Sequence, residues 1–338
     1  MSKRTRYFLV GSALVLVVGL CTGLVAFYNG SLPLRTSSAG PSELAYVPAD
    51  ATAVAYANVQ DIMNSQFRQR LRQLLPSGEE KDKLAAEVGI DLERDIDSVV
   101  AGFVGSEAKP DAAIVLVRGR FSAETIEAKA VAHGAKVEEY RGKKLVLAPE
   151  HHPPAVHRDS GKSDEFNGGV AFLEPGLVAL GESSSLRRAI DTAASRENVT
   201  RNEQLMKFVA EVPGGSNAWL VGRFDSLAKS AGESLPEQAR AQLSAVQWFA
   251  VSARVNGGVS GLVRAEARDE ESAKNLRDAA NGVLALGKMM SGKDTKLDAL
   301  VNSLQLQGVD KTVTLSFTLP PEILDVINGV AGLHQIVK

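Results

Sequence analysis

The chain carries an uncharged run of 21 residues from Phe8 to Tyr28, dominated by Leu, Val, Ala, Gly and Phe. Coiled as a helix at about 1.5 Å per residue, such a run spans roughly 30 Å, the thickness of a bilayer's hydrocarbon core. A helix satisfies its own backbone hydrogen bonds, which lipid cannot do. Tyr7, Phe27 and Tyr28 stand at its two ends, where amphipathic rings favour the interface. Lys3, Arg4 and Arg6 precede the run, and the next basic residues are Arg35 and Arg68. This asymmetry keeps the amino end in the cytoplasm and sends the rest out.

A cleaved signal peptide would need a shorter apolar region and a small-x-small site at its end. Leu24-Val25-Ala26 fits poorly, and Ser37-Ser38-Ala39 lies too far downstream. Cys21 follows Val18-Gly19-Leu20, and Leu is a poor neighbour for a lipidated Cys. Cys21 therefore reads as an inert residue inside an uncleaved anchor. The expected topology is a cytoplasmic tail at 1–7, a single plasma (inner) membrane span at 8–28, a flexible spacer at 29–42 rich in Gly, Ser and Pro, and an extracytoplasmic remainder.

That remainder is long enough for one large or two ordinary domains. It has no Cys, so it needs a true hydrophobic core rather than disulfide staples. All 40 Asp and Glu lie beyond the run, whereas three of the 38 Lys and Arg precede it. The outer part is thus mildly acidic with both signs mixed, which excludes a nucleic-acid surface.

Periodicity suggests an α+β fold: antiparallel sheet built from hairpins, with helices packed on it. Ala53–Val59 and Ala112–Arg118 read as strands. Hairpins are expected at Val137–Tyr140 with Lys143–Ala148, at Gly169–Glu174 with Leu177–Gly181 around Pro175-Gly176, at Trp248–Val255 with Gly258–Arg268, and at Leu304–Gln307 with Thr312–Thr318. Helices are expected from Asp61 to Leu75, Glu79 to Val88 and Ile90 to Val100, after Ser122, after Ser183-Ser184-Ser185, after Asn202 and after Asp269-Glu270-Glu271. A terminal helix follows Pro320-Pro321. In the helix after Asp269, the residues Ala273, Leu276, Ala280, Val283 and Leu284 are expected to face inward. Gly119-Arg120-Phe121 and Gly222-Arg223-Phe224 each follow a strand and precede a capping Ser or Asp. The pattern reads as a duplicated α+β unit, with a first unit at 43–212 and a second at 213–338.

No catalytic constellation emerges, and no catalytic, cofactor-binding or metal residue is assigned. His151, His152, His157 and Asp159 have the chemistry of a transition-metal site. They lie in a Pro-rich polar loop, Pro149–Gly169, which supplies no preformed geometry. His133 and His334 are isolated. Ser226-Leu227-Ala228-Lys229 matches S-x-x-K, but the accompanying S-D-N and K-T-G elements are missing in order or composition. Ser291-Gly292-Lys293-Asp294-Thr295 lacks the leading Gly of a P-loop and places Asp where Ser or Thr must hold Mg²⁺. Gly181-Glu182-Ser183 at a helix start could attract an anion, though N-capping accounts for it. The acid pairs Asp95 with Asp97 and Glu138 with Glu139 read as solvated faces.

Tyr46-Val47-Pro48-Ala49-Asp50-Ala51-Thr52 resembles the opening of a loose family of uncharacterised bacterial proteins. Their membrane-anchored ectodomains begin with a Pro-Ala-Asp-Thr strand start. Gly89–Ile96 and Val170–Gly181 fit the same pattern, so the resemblance covers most of residues 44–225. It implies a bacterial envelope protein without an assigned activity and carries over no catalytic residue. The expected function is an anchored binding or structural module of the envelope. Its partners would be the lipid bilayer through residues 8–28 and an envelope partner or ligand, with no cofactor. The alternative is an envelope hydrolase whose site is assembled from residues far apart in sequence.

Overall fold

The computed structural model describes residues 40–69, 91, 94–106, 109–148, 168–224, 244–291 and 301–319. The apolar run, the 149–167 loop, Ser226 with Lys229, Glu79–Val88 and the terminal helix lie outside the described residues. The described residues are mostly antiparallel sheet. Twelve strands carry them, against five α-helices, of which only α3 and α5, defined below, exceed ten residues. This overturns the balanced α+β expectation. Among the described residues no helix is long and apolar enough to cross a membrane.

The chain divides into two compact units, the first holding 39–60 and 77–206, the second 61–76 and 207–338. In the first unit the strands are β1 (Ala53–Asn58), β2 (Ile96–Ser106), β3 (Lys109–Gly119), β4 (Lys136–Tyr140), β5 (Lys143–Leu147), β6 (Gly168–Glu174) and β7 (Leu177–Glu182). Their spatial order is β1-β2-β3-β7-β6-β5-β4. The helical reading of Ile90–Val100 fails from Ile96 onward. Those residues begin β2, an 11-residue strand bonded to β1 and β3 on its two sides. Ile96 to Val99 are all half-buried and Val100 is buried, so the segment lacks the alternation that marks a half-exposed strand.

Turn chemistry sets the hairpins. Arg141 and Gly142 adopt φ of 47° and 72°, both positive as the tight two-residue hairpin demands. Gly176 at φ 73° follows Pro175, and its carbonyl accepts the Gly119 N–H at 2.9 Å. A side chain at Gly176 would stand 2.8 Å from the Gly119 oxygen, so this close approach requires glycine twice over. Helix α1 (Val59–Asn64) opens two residues before Asp61. Helix α2 (Ala123–Ala132) starts on Ser122, whose Oγ accepts the Thr125 N–H. Helix α3 (Ser183–Ser195) buries Leu186, Ala189 and Ile190. Its N-cap is Glu182 rather than a Ser.

Helix α4 (Glu203–Ala210) is capped by Asn202, whose Oδ1 accepts the Leu205 N–H at 3.1 Å. In the second unit β8 (Ala218–Arg223), β9 (Val246–Val255), β10 (Val259–Ala267), β11 (Gln305–Gln307) and β12 (Thr312–Leu319) lie in the order β8-β9-β10-β12-β11. β10 shows no one-sided alternation: from Ser260 to Glu266 it is half-buried on both faces. Opposite Gly261 stands Phe317, whose ring fills the space a side chain would take. Helix α5 (Glu270–Ser291) begins on Asp269, whose carboxylate accepts the Ser272 N–H at 2.7 Å. Ala273 is fully buried, and Leu276, Ala280 and Leu284 are half-buried. Val283, expected inward, faces solvent. The segment after Gly222-Arg223-Phe224 lies outside the described residues.

Candidate functional site

The Pro-Ala-Asp stretch before β1 is folded into a tight turn, with the Ala51 N–H donating to the Pro48 carbonyl at 3.0 Å. It is fastened at three points of the chain between α3 and α4. Val199 donates to the Val47 carbonyl at 2.8 Å, Pro48 forms an isolated bridge with Asn198, and Asn202 Nδ2 donates to the Ala49 carbonyl at 3.2 Å. The motif that carried the sequence resemblance is therefore one wall of a built feature.

The other walls are the tip of the β4–β5 hairpin and the C-terminal half of α3. Together they enclose an open cleft of about 590 Å³, lined by Asp50, Arg141, Arg188, Asp191, Ser195 and Glu197 among others. Arg188 Nη2 lies 2.6 Å from both carboxylate oxygens of Asp50. Arg141 Nε lies 2.8 Å from Asp191, and the Tyr140 hydroxyl donates to the same carboxylate at 3.0 Å. The Tyr140 ring has the Arg187 and Arg141 guanidinium carbons at 5.1 and 5.9 Å from its centre. Arg187 itself pairs with Glu138. Ser195 Oγ donates to the Thr192 carbonyl at 3.2 Å, closing the last turn of α3.

These ion pairs are substantially exposed. Pairs of that kind contribute about 0–1 kcal/mol each, because water competes for both partners. A ligand carrying a carboxylate and an ammonium can therefore exchange with them at small cost. Each of these two carboxylates is held by a guanidinium, Asp50 by Arg188 and Asp191 by Arg141, and Asp191 also by the Tyr140 hydroxyl.

A second charged group lies under the 3-10 turn Ser42–Tyr46. Glu43 is buried and accepts hydrogen bonds from Arg118 and, at 3.2 Å, from the Ser42 hydroxyl. Arg118 also faces Glu174 at 3.8 Å, and the buried Tyr46 hydroxyl donates to Glu174 at 2.8 Å. Burial pushes the Tyr46 hydroxyl up to about 12, and the hydrogen bond to Glu174 and its charge add to the effect. The Arg118 guanidinium is held more firmly protonated by its hydrogen bond to Glu43, against the opposing effect of burial. Breaking such a buried pair leaves a charge without a partner, so the group pins the turn to β3 and β6.

Several residues singled out in sequence have local roles. Asp97 faces Arg120 at 3.9 Å, Asp95 accepts the Asp91 N–H at 2.9 Å, and Glu138 is the partner of Arg187. His133 caps α2 and its Nδ1 lies 2.8 Å from the Lys129 carbonyl oxygen. Glu182 is the N-cap residue of α3 and makes no side-chain cap hydrogen bond. Ser291 ends α5. Among the described residues no three His, Cys, Asp or Glu converge as metal ligands. His151, His152, His157, Asp159, Ser226, Lys229 and His334 lie outside them.

No family model and no curated protein matches the chain. Among solved structures, one described as "Structure of crystal form I of TP0453" is similar with 11% identity and a TM-score of 0.48, covering 87% of this chain and 99% of that one. At that level of likeness nothing about activity carries over.

Proposed function

We propose that the chain is a membrane-tethered, extracytoplasmic binding module of the bacterial envelope, with the first unit's cleft as its ligand site. The single observation behind the site is the cleft itself. Two exposed ion pairs, Arg188 with Asp50 and Arg141 with Asp191, line an open space of about 590 Å³. The Pro-Ala-Asp wall is fastened by backbone hydrogen bonds, and the hairpin wall ends in a tight two-residue turn. The tether is supported by the Phe8–Tyr28 run and its basic flank, and the bacterial setting by the resemblance at Tyr46–Thr52.

A photoreactive amino acid at Ala194, in the cleft wall, tests the reading against the same group at Lys129 on α2. Both would be placed in the full chain expressed in a bacterial membrane. The expected result is a reproducible adduct from position 194 alone, in membranes whose C-terminal domain is degraded by externally added protease after outer-membrane permeabilisation. Equal labelling from both positions would remove the cleft as the site. Protease resistance with intact inner membranes would remove the extracytoplasmic placement.

A further inference from the structure

Helix α5 is unlike the other helices described here. Its first half carries Glu270, Glu271, Lys274, Arg277 and Asp278, an ordinary polar surface. From Ala279 to Ser291 it has no acidic residue and one charge, Lys288. The helix packs on β10, β11 and β12, and in this second half Ala280, Leu284 and Gly287 are half-buried. Val301 lies 3.5 Å from where a Gly287 side chain would stand. On the remaining surface Val283 is 70% exposed, Leu286 56% and Met289 81%. The three recur every third residue and form one exposed stripe along the helix.

A helix that is apolar all round normally lies inside a protein or in lipid. Here the sheet takes one face and leaves the other in water. Exposed apolar residues scattered singly need no explanation, but a stripe with no acidic neighbour marks a contact surface. The absence of acidic residues from 279 to 291 suits an anionic or neutral lipid surface and costs nothing in carboxylate desolvation. The charged first half excludes a spanning helix and fits one that lies on the interface.

We propose that the second half of α5 rests on the lipid surface through Val283, Leu286 and Met289. The occupant is a bilayer because the Phe8–Tyr28 run, read as an anchor, would tether the whole chain to one; tethering raises the local concentration of lipid surface without any new contact. To that extent the inference rests on the anchor reading above. It adds a second, peripheral contact that would restrict how the domain turns on its spacer.

The chain's single Cys makes the test direct. The full chain is reconstituted in vesicles of phosphatidylcholine and phosphatidylglycerol. An environment-sensitive fluorophore is attached in separate samples at native Cys21, or at Met289→Cys, Leu286→Cys or Lys274→Cys in a Cys21→Ala background. Expected are quenching by shallow nitroxide-bearing lipids and loss of iodide quenching at 286 and 289, with the reverse at 274. Iodide quenching at 289 equal to that at 274, without lipid quenching, overturns the proposal. So does fluorophore self-quenching at 289 that depends on protein density rather than on lipid, which would assign the face to a second copy. The Cys21 sample reads the anchor separately. Lipid quenching at 21 but not at 289 removes the peripheral contact alone. Lipid quenching at 289 but not at 21 removes the anchor and keeps the contact. A Val283→Asp, Leu286→Asp double variant should lose lipid quenching at 289 while its thermal midpoint stays unchanged, since both positions are exposed; retained quenching would count against the stripe.

Discussion

Helices α3 and α5 both pack on antiparallel sheet, yet they divide their residues differently. In α3 the apolar residues Leu186, Ala189 and Ile190 form one stripe, and that stripe is covered. Its outer face is Arg187, Arg188 and Asp191, and it builds the cleft. In α5 the apolar residues outnumber what one sheet face can cover, and Val283, Leu286 and Met289 remain outside. A helix whose apolar content matches its stripe is fastened by its core and free to present polar chemistry. One with a surplus presents the surplus.

The largest expected effect tests this contrast at matched residues. Leu186→Ala removes a fully buried side chain and should cost about 2–5 kcal/mol of unfolding free energy. Leu286→Ala removes one that is more than half exposed and should stay within about 0.5 kcal/mol. Urea denaturation followed by circular dichroism measures both, and equal losses would break the comparison.

Glycines sharpen it within the second unit. A Cβ at Gly261 would stand 2.0 Å from the Phe317 ring, so Gly261→Ala should destabilise by about 1–3 kcal/mol as the ring is driven out. At Gly282 on α5 nothing stands within 4 Å, and Gly282→Ala should stabilise by up to about 1 kcal/mol through helix propensity. Opposite signs in thermal melts of the two variants are the expected outcome. A destabilising Gly282→Ala would show that the outer face of α5 is already packed against something.

The last test concerns pH and belongs to the first unit. The Tyr46 hydroxyl ionises near 12 when folded and near 10 when unfolded. The folded state therefore holds its proton more tightly. The resulting stabilisation is complete below about pH 10 and is lost as pH rises from there to about 12. Tyr46→Phe should lose this alkaline dependence while leaving any in the second unit unchanged. Absorbance titration of the phenolate, whose ordinary value is near 10, and melts across that range would detect it. An unaltered alkaline profile would show that Tyr46 does not titrate late.

Hairpins were legible in the sequence because their turns are local. Pro175-Gly176 and Arg141-Gly142 specify backbone conformations that few other residue pairs accept. The caps at Ser122, Asn202 and Asp269 were readable for the same reason, since donor and acceptor lie three residues apart. The beginning of β2 was not legible. Ile96, Val99 and Val100 are apolar on a strand bonded on both sides, and their spacing fits a helix as well as a sheet. The excess of helix in the sequence reading has this origin in part, together with elements that fall outside the described residues. Nor could the cleft be read. Asp50 and Arg188 are 138 positions apart, and only the closing of the sheet brings them together. On α5 the apolar residues occupy more of the circumference than the sheet covers, so Val283, expected inward, is left in solvent.

Strand β4 ends the order of the first unit and β11 that of the second, and both have a bearing on crowding. β11 is three residues long, and β4 reads Lys-Val-Glu-Glu-Tyr, with a hydrogen-bonded neighbour on one side only. Open ladders of this kind are templates on which another copy could add a strand. The first is too short to seed one, and the second meets an incoming copy of itself with like charges. Were many copies tethered side by side as proposed, these edges would keep them from zipping into a continuous cross-β array.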